Sequence, residues 1–196
     1  MLLAMAACTP VATPPERASS RSSVAAVLQE TAGLQDADLV FRRGRDVMSD
    51  LVLSRQSDSR FSHVGMLVRE GGALHVIHAM PDEPGMAGGV RQELLADFLA
   101  PDVASDAAVY RLSGLQTAAQ QRVIDHLRKQ VGLPFDFDFA LSTPQQVYCS
   151  ELVLAPLEQS GRRLQPDTLD VPLMREPIVV PDALRKLPGL RLVAGE

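Results

Sequence analysis

Two cysteines and four histidines hold most of the chemistry this sequence can offer. Cys149 stands in Gln-Val-Tyr-Cys-Ser-Glu-Leu-Val, downstream of Pro144, where a helical pattern begins. The unpaired N–H groups and positive dipole end of a helix start stabilise a thiolate and can hold the oxyanion of a tetrahedral intermediate. Taken alone, a free cysteine is more often a small buried hydrophobe. A nucleophilic thiol also needs a proton acceptor, and histidine is the usual one. His63 opens one β-prone segment, whereas His75 and His78 lie on the next. His126 falls mid-helix beside Arg128 and Lys129 and reads as a surface residue. His75 and His78 are three positions apart, so a strand sends them to opposite faces and they do not easily share a metal. No metal site and no cofactor is expected. A Cys149–histidine couple, its imidazole oriented by a third polar group, fits these residues better.

The elements that must position these groups follow from hydrophobic period and turn chemistry. Helical patterns run over 24–35, 46–56, 116–131 and 149–160, with a short one ending at Leu99 and another at 182–187. Apolar residues at 119, 123, 124, 127 and 131 mark the buried stripe of the longest, which Gly132 ends. Segments 38–42, 62–69, 73–79, 90–94 and 107–112 are β-prone, and Glu70-Gly71-Gly72 reads as a hairpin turn. Residues 80–89 form a loop dense in Pro and Gly, and the last 35 residues hold several prolines. Strands interleaved with helices predict an α+β domain with a mainly antiparallel sheet packed against helices.

Three short motifs follow one another: Ser62-His63-Val64-Gly65-Met66, Val76-Ile77-His78-Ala79 and Tyr148-Cys149-Ser150-Glu151-Leu152. In that order they resemble the circularly permuted papain-like cysteine hydrolases of the YiiX/YaeF type, relatives of the NlpC-type cell-wall peptidases and of the lecithin:retinol acyltransferase family. Ordinary papain-like enzymes place the cysteine first, whereas here His63 precedes Cys149 by 86 positions. Asp38-Leu39-Val40-Phe41 and Gly132-Leu133-Pro134-Phe135-Asp136 are similar to further family segments, and the resemblance spans residues 36–160. It implies a permuted papain-like fold with Cys149 as nucleophile and His63 as general base. His78, where many relatives carry Glu, is implied as the group that orients His63, with His75 as its rival. Tyr148, Ser150 and Asp136 fall in the substrate and oxyanion neighbourhood, and Asp136 either lines the site or caps the following turn. Phe135 stands where the family usually has Tyr.

The reaction implied is hydrolysis or acyl transfer through an acyl-enzyme on an amide or ester bond, a murein peptide amide among the candidates. An imidazolium–thiolate pair with a bell-shaped pH profile is expected. Two alternatives stand beside it. One is an acyl-lipid hydrolase or acyltransferase, with Met80, Met86 and Phe139 along a lipid-facing groove. The other is a non-catalytic, lipid-anchored binding protein on the same fold.

Cys8 keeps different company. It follows Met-Leu-Leu-Ala-Met-Ala-Ala, a short apolar run that resembles a truncated signal and lipobox over residues 1–8. Residues 9–23, rich in Pro, Ser and Thr, suit a flexible tether to a single domain over 24–196. This reading makes Cys8 the site of lipid attachment, leaves Cys149 a free thiol, and predicts a periplasm-facing lipoprotein of the bacterial envelope. A hydrophobic fraction of 46% in 196 residues excludes wholesale disorder. A net charge of −5, no Trp and only 4% aromatic residues leave no footprint for nucleic acid. The expected partners are a peptide or lipid-like acyl substrate and a membrane surface.

Overall fold

A computed structural model describes residues 22–195, apart from residues 56, 57, 83, 84, 86 and 173. Six strands form one antiparallel sheet in the order β4-β3-β2-β1-β5-β6. They are β1 Leu39–Gly44, β2 His63–Glu70, β3 Ala73–Met80, β4 Gly89–Leu94, β5 Ala104–Leu112 and β6 Leu190–Ala194. β2 and β3 join through Gly71 and Gly72, both at positive φ (57° and 86°), as a two-residue hairpin of this hand requires. The central strands are buried on both faces because helices cover each side. Phe41, Val64, Met66, Ile77 and Tyr110 meet α4 (Thr117–Lys129), α5 (Cys149–Glu158) and α6 (Pro181–Arg185). On the other side, Val40, Leu67, Val76 and Val109 meet α1 (Ser23–Gln29) and α3 (Leu95–Phe98). A further helix, α2 (Val47–Leu53), follows β1, with Asp46 as its N-cap.

The α+β antiparallel architecture matches the sequence expectation, while several boundaries differ for local reasons. Ser22, assigned to the tether, accepts a hydrogen bond from the Ala25 N–H, so α1 starts at Ser23. That helix stops at Gln29, and a 3₁₀ turn at Thr31–Gly33 replaces its expected second half. Val131 lies beyond the end of α4 and is 45% exposed, so it leaves the buried stripe. β6 was not foreseen, because five residues after Pro188-Gly189 gain strand identity only by pairing with β5. Residues 1–21, which include Cys8, the lipobox and most of the tether, lie outside the described residues, as does Met86.

The C-terminal segment fastens the parts that carry the site. The buried carboxylate of Asp182 accepts from the N–H groups of Arg60 and Phe61, at the entry to β2, and from Arg185. Tyr148, immediately before Cys149, accepts a hydrogen bond at its hydroxyl from the Val179 N–H.

Candidate active site

Cys149 is the first residue of α5, as its position after Pro144 predicts. Its helix entry is fixed by a parallel bridge between Phe135 and Val147, in which Val147 donates to the Pro134 carbonyl and Asp136 to that of Val147. Phe139 packs edge-on against Tyr148 and Phe135, holding the same turn from outside. Tyr148 occupies the N-cap with extended backbone and no side-chain cap, so the first amides of α5 are not consumed by a capping side chain. The amides of Cys149 and Ser150, the Ser150 hydroxyl and the Val64 amide all favour negative charge on the thiol. Backbone amides at a helix start are suited to an anion.

The histidines are set by strand register. β2 and β3 pair only from Met66–Ile77 towards the hairpin turn, although both strands run on to His63 and Met80. The ladder is therefore open at its far end, where the Val64 amide is one of the groups that lower the Cys149 thiol. Continuing the register would put Gly65 opposite His78. A Cβ on Gly65 would meet Val76 Cγ1 at 2.4 Å and His78 Cβ at 3.0 Å, so only glycine allows this approach. Across that gap His63 Nε2 lies 2.9 Å from His78 Nδ1. Both rings pack on Phe98, on the α3 side of the sheet, whereas Cys149 belongs to the α5 side. Thiol and imidazole are not hydrogen-bonded to each other, and the Val64 amide, in the peptide following His63, joins the two halves. His75 pairs with Val68 near the turn, away from His63, with its Nδ1 buried and without a hydrogen bond among the described residues. His126 is half-buried and shares hydrogen bonds with Gln130 and Gln159.

Two groups that sequence reading missed complete this cluster. Glu93 Oε1 lies 2.9 Å from His78 Nε2, close but out of line for an ideal hydrogen bond. Arg42, opposite His63 in the register, is buried over the Phe98 ring, 4.3 Å from its centroid, and donates to the Phe98 carbonyl. Their strand alternation was visible, but a charged residue in a short strand reads first as solvated. Asp136 is buried and accepts from the N–H groups of Asp138 and Ala140, which is the turn-capping alternative. Ser150 is fully buried, and its hydroxyl has no hydrogen-bond partner among the described residues.

Burial governs the electrostatics. It pushes the Cys149 thiol above its ordinary value, against the pull of the surrounding donors. It also holds His63 well below its ordinary value, and the Arg42 cation adds to this. Both shifts favour the neutral thiol and the neutral imidazole over the imidazolium–thiolate pair. Burial likewise lowers His78 to about 4, although Glu93 opposes the shift. Glu151, in the first turn of α5, is raised to about 7 by burial and by Asp136. A small cleft bordered by Met48, Ser62, Met80 and Phe135 reaches His63.

An antiparallel sheet that carries two histidines ahead of a cysteine-initiated helix defines a papain-like protein in permuted order. The comparison with known sequences is specific: residues 33–193 match the permuted papain-like amidase family, YaeF/YiiX, C92, and the chain belongs to that family. It is 31% identical over 121 residues to the uncharacterized protein YiiX of Escherichia coli strain K12, covering 61% of this chain. The match spans 55% of that relative's length. A crystal structure of YiiX from Escherichia coli O157:H7 superposes with a TM-score of 0.70 at 25% identity, covering 84% of this chain and 98% of the other. The six-stranded α+β fold is shared with it. That relative is described as a metalloprotein. Here the two nitrogens of His78 already face His63 and Glu93, and no group of three His, Cys, Asp or Glu among the described residues could hold a metal ion. These side chains do not fit a metal centre.

Proposed function

We propose that this member of the amidase family is a cysteine hydrolase that cleaves an amide bond through an acyl-enzyme on Cys149. What carries the reading is the cysteine at an uncapped helix start, against the amide that follows His63. As a substrate carbonyl approaches, His63 takes the thiol proton and the sulfur attacks. The amides of Cys149 and Ser150 receive the developing oxyanion, and His63 returns the proton to the leaving amine. Water then enters as the second nucleophile, deprotonated by His63; the C–S bond breaks, the acid leaves, and His63 returns that proton to the Cys149 sulfur. An amine or alcohol acceptor in place of water turns the same site into an acyltransferase.

The acyl group has an apolar neighbourhood. Met48 and Phe135 border the cleft at His63, and Met48 also borders an apolar pocket formed by Leu51, Phe139, Val171 and Ile178. That continuity supports the second reading, an acylated amine or lipid, beside the murein peptide amide. Incubation with murein fragments and with N-acyl lipids in parallel, followed by mass identification of the group trapped on Cys149, separates the two. A peptide adduct supports murein and a fatty acyl adduct supports lipid. No adduct from either, with hydrolysis unchanged in Cys149→Ala, removes the hydrolase reading.

For its location we propose an envelope lipoprotein anchored through Cys8. Globomycin-sensitive processing and fatty-acid labelling should vanish in Cys8→Ser, and labelling unchanged by that substitution would refute the anchor.

A further inference from the structure

We infer that Glu93 is a positioning residue that fixes the tautomers of both histidines, so that the lone pair of a neutral His63 rests on Nδ1, the ring nitrogen that does not face His78. The inference rests on the hydrolase reading for its consequence, but not for its geometry.

The argument begins with what each atom can do. An ionised carboxylate has no proton to donate and would meet a bare nitrogen lone pair to lone pair, so at this distance it favours the proton on the His78 nitrogen that faces it. That nitrogen is Nε2, 2.9 Å from Glu93 Oε1. A neutral His78 then has a bare Nδ1, which can only accept. Facing it at 2.9 Å is His63 Nε2, which must therefore be the protonated nitrogen of that ring. A neutral His63 is left with its lone pair on Nδ1. The chain of assignments runs one way from the carboxylate to the base. Reversing any link puts a proton on Nδ1 and removes the base.

The surroundings keep this chain in place. His78 is fully enclosed and cannot trade its partners for bulk water. Its cluster is faced by Arg42 from β1, His63 from β2, Arg91 and Glu93 from β4, and the Phe98 ring from α3. Arg91 Nε stands 3.6 Å from Glu93 Oε2, and it and Arg42 favour the ionised carboxylate. Both cations also resist protonation of either histidine, which keeps the relay in the neutral form the argument needs.

The sharpest test reads the tautomers themselves. Nitrogen NMR of ¹⁵N-histidine-labelled protein should show His63 and His78 as neutral Nε2–H tautomers at pH 7. In Glu93→Gln the side-chain amide can donate as well as accept, so a population of the Nδ1–H form should appear on both rings. Glu93→Asp should restore the single form. Unchanged Nε2–H tautomers in Glu93→Gln, or Nδ1–H tautomers in the unmodified protein, would overturn the inference. Acylation of Cys149 by p-nitrophenyl acetate gives the second reading: Glu93→Gln should slow the burst on the order of 10²-fold without changing its half-saturation concentration. If the unmodified protein shows the expected tautomers but no acylation, the hydrolase reading fails and the positioning stands.

Discussion

At the scale of single residues, burial favours the neutral form of both the Cys149 thiol and the His63 imidazole. A helix start favours a lowered thiol pKa, yet enclosure outweighs the groups that lower it at Cys149. The consequence is measurable. Iodoacetamide alkylation of Cys149 should be slow at pH 7 and should climb only above the ordinary thiol range. Fast alkylation at neutral pH would show a preformed ion pair and contradict the resting state described here. His63, held well below its ordinary value, remains an unprotonated base throughout the neutral range. The acid limb of any activity profile should therefore fall well below pH 6.5, the ordinary histidine value, and an acid limb near 6.5 would argue against His63 in this environment.

At the scale of elements, the open end of the β2–β3 ladder is what lets α5 and the histidines meet. Gly65 is its hinge in a steric sense, since the approach of His78 leaves no room for a Cβ. Gly65→Ala should lower stability by roughly 1–3 kcal/mol by forcing the strands apart. Its Cys149 acylation rate should fall further than stability alone explains, and an unchanged rate would show that the spacing is not needed. This element was legible beforehand. The Glu-Gly-Gly turn, the alternating strand and the cysteine at a helix start each have a local signature. Glu93 and Arg42 were not legible, because their meaning comes from register across four strands. His78 was separable from His75 only through flanking residues, and the fold separates them by placing His75 against Val68, near the turn. β6 left no usable pattern of its own.

At the scale of the whole molecule, the last 35 residues close the sheet and tie down both halves of the site. Asp182 supports the entry to β2, so Asp182→Ala should cost about 2–4 kcal/mol by stranding its buried donors, read as a lower urea midpoint. The histidines impose a pH dependence on the whole fold. His78 sits at about 4 in the folded chain against an ordinary 6.5, so protons favour the unfolded chain. Its stabilising contribution is complete above pH 6.5 and is lost as the pH falls towards 4, a difference of about 3 kcal/mol, with His63 acting in the same direction. Urea midpoints should decline across that window, and His78→Gln should flatten the decline. A midpoint independent of pH there would mean the histidines are not buried as neutral groups. The central claim, that Cys149 forms an acyl-enzyme with His63 as its base, is tested most directly by mass spectrometry after brief exposure to p-nitrophenyl acetate. The account predicts an acetyl group on the Cys149 peptide, absent in Cys149→Ala and much slower to form in His63→Ala. Acetylation elsewhere only, or at the same rate without His63, would contradict it.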